Sequence, residues 1–193
     1  MTSYTTYADL YRPQARSHAL AYNVLLVIGG SLLVAAIAQI AIPVPFSPVP
    51  ITGQTFGVLL VGALLGSRRG ALALLAYLAE GIMGLPVFAG GAFGLARLMG
   101  PTGGYLVGFV GAAWLVGYLS EIGFDRKVWT TLVAMTLGNV VIFFFGVLWL
   151  GMYVGWEKAL PLGLYPFLTG SVVKTALAAA LLPVGWKLIG KKK

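Results

Sequence analysis

Residues 128–153 read VWTTLVAMTLGNVVIFFFGVLWLGMY and follow directly on Asp125-Arg126-Lys127. No charge interrupts the run. It exceeds the roughly 20 residues that an α-helix rising 1.5 Å per residue needs to cross a hydrocarbon core of about 30 Å. The rest of the chain has the same character: 59% of its 193 residues are hydrophobic and 9% charged, with a mean hydropathy of +0.92. A soluble domain of this length carries far more charge on its surface. The chain therefore reads as an all-α integral membrane protein.

Working outward, six apolar segments are expected to span the membrane, at about 19–42, 51–66, 71–84, 104–119, 128–153 and 165–188. Together they form a single membrane domain over residues 1–193. The second and third are short for a bilayer and are expected to be shielded partly by their neighbours. Residues 1–17 are polar and the first apolar run is too long for a signal-peptide core, so it is expected to remain as a helix.

The basic residues test this count. With the N-terminus inside, Arg12, Arg16, Arg68, Arg69, Arg126, Lys127, Lys187, Lys191, Lys192 and Lys193 fall in the cytoplasm, against Arg97 and Lys158 outside. That asymmetry follows the positive-inside rule and places both termini in the cytoplasm. An odd number of helices would strand one basic end outside. The net charge of +8 does not indicate nucleic-acid binding, because the basic residues sit at helix ends and termini rather than in a stripe with exposed aromatics.

Absence of cysteine excludes disulfides and thiolate metal sites, and His18 is the single histidine. Five acidic residues offer no pair at helical spacing for acid–base or metal chemistry. No catalytic residue, metal or cofactor is expected, and no G-x-x-x-x-G-K-[ST] loop is present to bind ATP. An autonomous secondary transporter would commonly show charged relays or inverted repeats; neither is clear here.

Inside turns are brief and basic, whereas the outside loops carry unusual backbone requirements. One is proline-rich, from Pro43 to Pro50, another runs from Gly151 to Leu164, and the third, 84–105, has seven glycines and two prolines in 22 residues. Glycine permits positive φ and close approach to a ligand, and proline fixes turns. Such backbone is tolerated at membrane depth only when buried in protein or facing a cavity. The chain thus presents its binding chemistry outward.

Several strings in these loops resemble one family. They are AQIAIPVP at 38–45, VPITGQTFGVLLVGALLG at 49–66, GLPVFAGG at 84–91, GPTGGYLVGF at 100–109 and PFLTGSVVK at 166–174. In this order, over nearly the whole chain, they are similar to BioY, the biotin-binding S component of energy-coupling-factor (ECF) vitamin transporters. The resemblance implies the ECF S-component fold and capture of biotin at the outer face of a bacterial or archaeal cytoplasmic membrane. It also implies a membrane-embedded T component and two cytoplasmic ATPases as partners, ATP being used only by those subunits. An S component for another vitamin and an autonomous biotin transporter are the alternatives.

Candidate substrate-binding residues follow. Lys174 lies about 14 Å along the last helix, and an ionisable residue at that depth faces a cavity or a partner. It matches the lysine of the family's Pro-Gly-Asp-x-x-Lys segment. Ser171 shares its helix face and stands where the family usually has aspartate, removing the expected counter-charge. Glu80 is the candidate compensator, pairing with Arg97 or Lys174 or pointing at ligand, or else lying in interfacial water. Arg97 could meet a carboxylate through two N–H donors. Asn139 suits either ligand contact or a helix-to-helix hydrogen bond. Gln54 is placed at a cavity, with capping by Thr52 or Thr55 the competing role of that turn. Tyr105 and Phe88 could wall a bicyclic ring, and Gly90 and Gly91 shape the loop beside them. On the first helix, Gly30, Ser31, Ala35 and Ala38 form a small-residue face, expected to dock on the T component or to pack internally.

Overall fold

A computed structural model describes residues 6–190; the charges assigned to Lys191, Lys192 and Lys193 lie outside these residues. In chain order the elements are α1 (Arg16–Ala38), β1 (Ala41–Val44), β2 (Ser47–Thr52), α2 (Gln54–Leu65), α3 (Ser67–Ile82), α4 (Leu95–Met99), α5 (Gly103–Glu121), α6 (Val128–Val154), α7 (Trp156–Gly163) and α8 (Tyr165–Gly190). Short 3₁₀ turns cover Tyr7–Tyr11, Ala89–Gly91 and Phe124–Arg126. Helices α1, α2, α3, α5, α6 and α8 coincide with the six apolar segments. By length and composition four stretches are long and apolar enough to cross a membrane: α1, α5, α6 and the α7–α8 run.

Burial explains how a helix as short as α2 is accommodated. At 12 residues it is roughly 18 Å long, yet Val58, Leu59, Val61, Ala63 and Leu65 are all buried. It lies inside the bundle against α1, α3 and α5. Helix α5 is the hub, packing on α2, α3 and most extensively on α6. Gly104 makes that seam possible: a Cβ there would stand 2.2 Å from Trp149 Cβ and 2.3 Å from the Phe145 carbonyl. In lipid, where apolar surface alone does not draw helices together, such close approach supplies the packing.

Three sequence expectations need correction. The fold is mostly helical as expected, but β1 and β2 add an antiparallel hairpin with Ala41 opposite Thr52 and Ile42 opposite Ile51, and an irregularity before Val44. The first span accordingly ends at Ala38 rather than residue 42, and the second begins at Gln54. The stretch 151–164, expected as an outside loop, is mostly helical, since α6 continues to Val154 and α7 follows Gly155, whose φ is 84°. Finally, Gly30, Ser31, Ala35 and Ala38 face inward. All four are buried, and a Cβ on Gly30 would sit 3.0 Å from Ala73 and from Leu65. The small residues let α1 approach α2 and α3, so this face is not available to a partner.

The two ends of the bundle differ. The hairpin, α4 and α7 close one end. The described termini, Arg12, Arg16, Arg68, Arg69, Arg126, Lys127 and Lys187 belong to the other. There polar side chains complete exposed helix ends. Glu121 accepts hydrogen bonds from Ser67 N at 2.7 Å and Ser67 Oγ at 2.9 Å, capping α3. Trp186 Nε1 donates to the buried Asp125 Oδ2 at 2.6 Å, and the Arg126 guanidinium stacks 3.6 Å above the Trp186 ring. Tyr7 packs its ring 4.2 Å from Trp186 and donates its hydroxyl to the Leu182 carbonyl. Burial, reinforced by the Asp125 charge, pushes that hydroxyl up to about 12.

Asp9 joins the N-terminal turn to α3 by accepting from the Arg69 guanidinium and from Thr6. Burial raises its pKa, but these hydrogen bonds outweigh burial and leave it below the ordinary 3.8. A depressed folded value means that the clasp stabilises fully above about pH 4 and is lost as pH falls through that value. Asp9→Asn should cost about 1 kcal/mol at pH 7. In thermal unfolding of detergent-solubilised protein, the gap from the unsubstituted protein should close as pH falls well below the ordinary 3.8. A gap that persists there would contradict the assignment.

Candidate ligand-binding cleft

At the hairpin end, elements from across the chain enclose a narrow cleft of about 640 Å³, its open mouth included. Clefts of a few hundred Å³ suit small molecules. β2 contributes Val49 and Ile51, the loop after α3 contributes Phe88 and Ala89, and α5 contributes Tyr105, Leu106 and Phe109. Phe143 of α6 and Phe167 of α8 complete the apolar walls. Phe88 is almost fully buried and meets Tyr77 edge-on at 5.4 Å.

The polar groups are few. Lys174 Nζ donates to the Thr52 carbonyl and, at 2.9 Å, to Thr55 Oγ1. It thereby ties α8 to the end of the hairpin and the first turn of α2. An ammonium has three N–H donors, so one remains for a ligand. Arg97, carried on α4, reaches the same cleft, and among the described residues no carboxylate lies within ion-pairing distance of it or of Lys174. Indeed no aspartate or glutamate lines the cleft. Two cations face one low-dielectric space without a counter-charge, which favours a ligand that brings a negative charge with it.

Gln54 is positioned at both ends of its amide. Its Nε2 donates to Tyr77 Oη at 2.6 Å, its Oε1 accepts from Thr52 Oγ1 at 3.2 Å, and Tyr77 Oη donates to the Val87 carbonyl at 3.0 Å. The relay fixes which way the amide faces and ties the glycine-rich loop to α2 and α3. Tyr105 spends its hydroxyl on the Gly163 carbonyl at 2.7 Å and presents its ring. Thr102 Oγ1 is buried without a protein partner among the described residues, which leaves it to a ligand.

Of the ten residues singled out from sequence, Lys174, Ser171, Arg97, Gln54, Tyr105 and Phe88 meet at this cleft. Gly90 and Gly91 do not line it; their φ values of 69° and 73° turn the chain between Phe88 and α4. Glu80 is not the compensating acid. It points toward α1, where Ser31 Oγ donates to its Oε1 at 2.7 Å. Asn139 is a helix-to-helix contact: its Nδ2 donates to Thr175 Oγ1 of α8 at 3.1 Å and to the Met135 carbonyl at 3.0 Å. Sequence reasoning missed Thr102, Tyr77, Phe109, Phe143 and Phe167. Thr102 sits inside one of the family strings, in Gly-Pro-Thr-Gly-Gly at 100–104, which is the one signal that could have found it.

This architecture defines a class, a multi-pass membrane bundle with a small-molecule cleft closed by loops at one end. The chain belongs to the BioY family, whose profile matches residues 11–191. It is 39% identical to the biotin transporter BioY of Rhizobium etli over 178 residues, 86% of this chain and 95% of that one. Identity is also 39% with the probable biotin transporter BioY of Pyrococcus horikoshii, covering 75% and 83% of the two chains. The fold matches the crystal structure of the S component for biotin from an ECF-type ABC transporter. The TM-score is 0.80, with 26% identity, over 91% of this chain and 95% of that chain.

Tyr77→Phe removes the hydroxyl that Gln54 donates to and that donates to Val87. Stability should fall by about 1 kcal/mol, and affinity for the cleft's ligand should fall several-fold because Gln54 is no longer held. Unchanged melting and unchanged binding in a thermal-shift titration would show that the relay positions nothing.

Proposed function

We propose that this chain captures biotin at the outer face of the cytoplasmic membrane and delivers it inward as the S component of an ECF-type transporter. One observation carries the ligand class: an aromatic-walled cleft holds Lys174 and Arg97 and no acidic residue. Biotin combines an apolar bicyclic body with a carboxylate and a ureido group. The body fits between Phe88, Tyr105 and Phe143, the carboxylate supplies the missing negative charge, and Gln54, Ser171 and Thr102 offer hydrogen bonds to the ureido group. A cationic vitamin such as thiamine would add a third positive charge to the same space.

In this reading all six long segments cross the membrane, with α2 and α3 sheltered by their neighbours and both termini cytoplasmic. The arginine-rich end of the bundle supports that orientation through the positive-inside rule. The hairpin and the glycine-rich loop act as lids over the cleft. The chain carries no nucleotide-binding loop, so energy enters through other subunits, a T component and two ATPases. The exposed apolar side of α1, including Leu25 and Leu32, remains open to lipid or to such a partner, whereas its small-residue side is used internally.

Calorimetric titration of the purified protein with biotin, its neutral carboxamide, thiamine and riboflavin tests the reading. Biotin should bind at one site, and the carboxamide should bind about ten- to a hundredfold more weakly, the value of a charge-assisted hydrogen bond. Arg97→Gln combined with Lys174→Met should remove that discrimination. No heat with biotin, or tighter binding of thiamine, would overturn the proposal.

A further inference from the structure

A second groove runs along the outside of the bundle between α1 and α3, remote from the cleft. Its walls are aliphatic, with Leu20, Val24 and Ile28 of α1 facing Leu72, Leu75 and Ala79 of α3. The space between atoms is about 1680 Å³, its open side included. At the end of the bundle that carries the chain termini, the groove meets Arg12, Arg68, Arg69 and Asn23. Arg16 lines the adjoining hollow.

Two of the three floor arginines, Arg12 and Arg68, are exposed and have no counter-charge within ion-pairing distance among the described residues. Arg69 is tied to Asp9 through one nitrogen, while among the described residues its Nη1 is buried without a hydrogen-bond partner, as is Asn23 Oδ1. Glu121, the one acid beside the groove, is engaged by the backbone and hydroxyl of Ser67. The positive-inside rule accounts for arginine at this end of the molecule. It does not account for three arginines converging under an aliphatic furrow.

We infer that this groove is a binding site for one anionic phospholipid. Arg12 and Arg68 hold the phosphate, Arg69 Nη1 adds a donor, and an acyl chain lies between α1 and α3. The charge pattern selects this occupant. Guanidinium groups match phosphate oxygens in two-pronged geometry, and basic pockets between membrane helices at the cytoplasmic interface take anionic head groups. Free phosphate would satisfy the arginines but leave the aliphatic walls uncovered. A partner helix would cover the walls but supply no anion to the floor. An amphiphile with an anionic end does both, and the site stands whether or not the cleft binds biotin.

Native mass spectrometry of the detergent-purified chain tests it, with phosphatidylglycerol, phosphatidylcholine and inorganic phosphate added in separate arms. One phosphatidylglycerol should be retained in preference to phosphatidylcholine, with no retention of inorganic phosphate. Arg12→Gln with Arg68→Gln should weaken retention about thirtyfold, at roughly tenfold or less for each arginine. Ala76→Trp, which fills the groove without touching the charges, should weaken it as well. Monodispersity and an unchanged melting temperature confirm that both variants fold. Equal retention of the two lipids, or retention unaltered in either variant, overturns the proposal. Retention of phosphate alone reduces the site to an ion contact and also overturns it. A photo-crosslinker in place of Leu75 that labels a protein and never phospholipid in native membranes would assign the groove to a partner helix instead.

Discussion

A lysine ammonium inside an apolar bundle must find hydrogen-bond acceptors or a counter-charge, and Lys174 finds only acceptors. Taking such a group out of water costs several kcal/mol, so the surrounding structure is organised to offset that cost. The Thr52 carbonyl and the Thr55 hydroxyl do so, and in doing so they fasten the hairpin and the start of α2 to α8. A proline-rich segment that would otherwise be a loose outer loop becomes a wall of the cleft. The same absence of a carboxylate leaves the cleft electropositive, with Arg97 adding to it. One unpaired charge thus shapes both the enclosure and its preference for an anion.

The remainder of the site rests on groups that position one another. Gln54 is oriented by Thr52 and Tyr77, and Tyr77 by Val87 of the glycine-rich loop. The hairpin is held a second time where Ser47 Oγ donates to the Leu162 carbonyl of α7 at 2.8 Å. At the opposite end Glu121, Asp125, Trp186 and Asp9 serve as caps and clasps for helix ends rather than as ligands. The acidic residues that would pair a buried lysine and an arginine are therefore engaged elsewhere, Glu80 with Ser31 among them.

Where hydropathy dominates, the helices fall where the sequence places them. The uncharged run at 128–153 became α6 nearly to the residue, and 165–188 became α8, because a long apolar run in lipid has one way to satisfy its backbone. The hairpin was not legible. Pro43, Pro48 and Pro50 each lack a backbone donor and argue against a strand, and only contact with α7 and α8 makes a two-stranded ribbon viable there. The six residues that reach the cleft were visible through their chemistry or through family resemblance. Glu80 was misplaced, and Asn139 was left open between ligand and helix contact, for a different reason. Their partners, Ser31 and Thr175, lie far away in sequence on other helices, and hydropathy does not reveal which face of an all-apolar helix meets which neighbour. Thr102 lies within a family string that does not single out its hydroxyl, and Tyr77 lies in none; burial makes their hydroxyls informative.

Membership of the BioY family and the geometry of the cleft converge on an anionic small molecule held between aromatic walls. The structure of the protein with biotin bound is the most direct test of that convergence. The account predicts the bicyclic ring against Phe88 and Tyr105, with the carboxylate within hydrogen-bonding distance of Arg97 or Lys174. Biotin bound elsewhere, or bound in the cleft with its carboxylate remote from both cations, would contradict it.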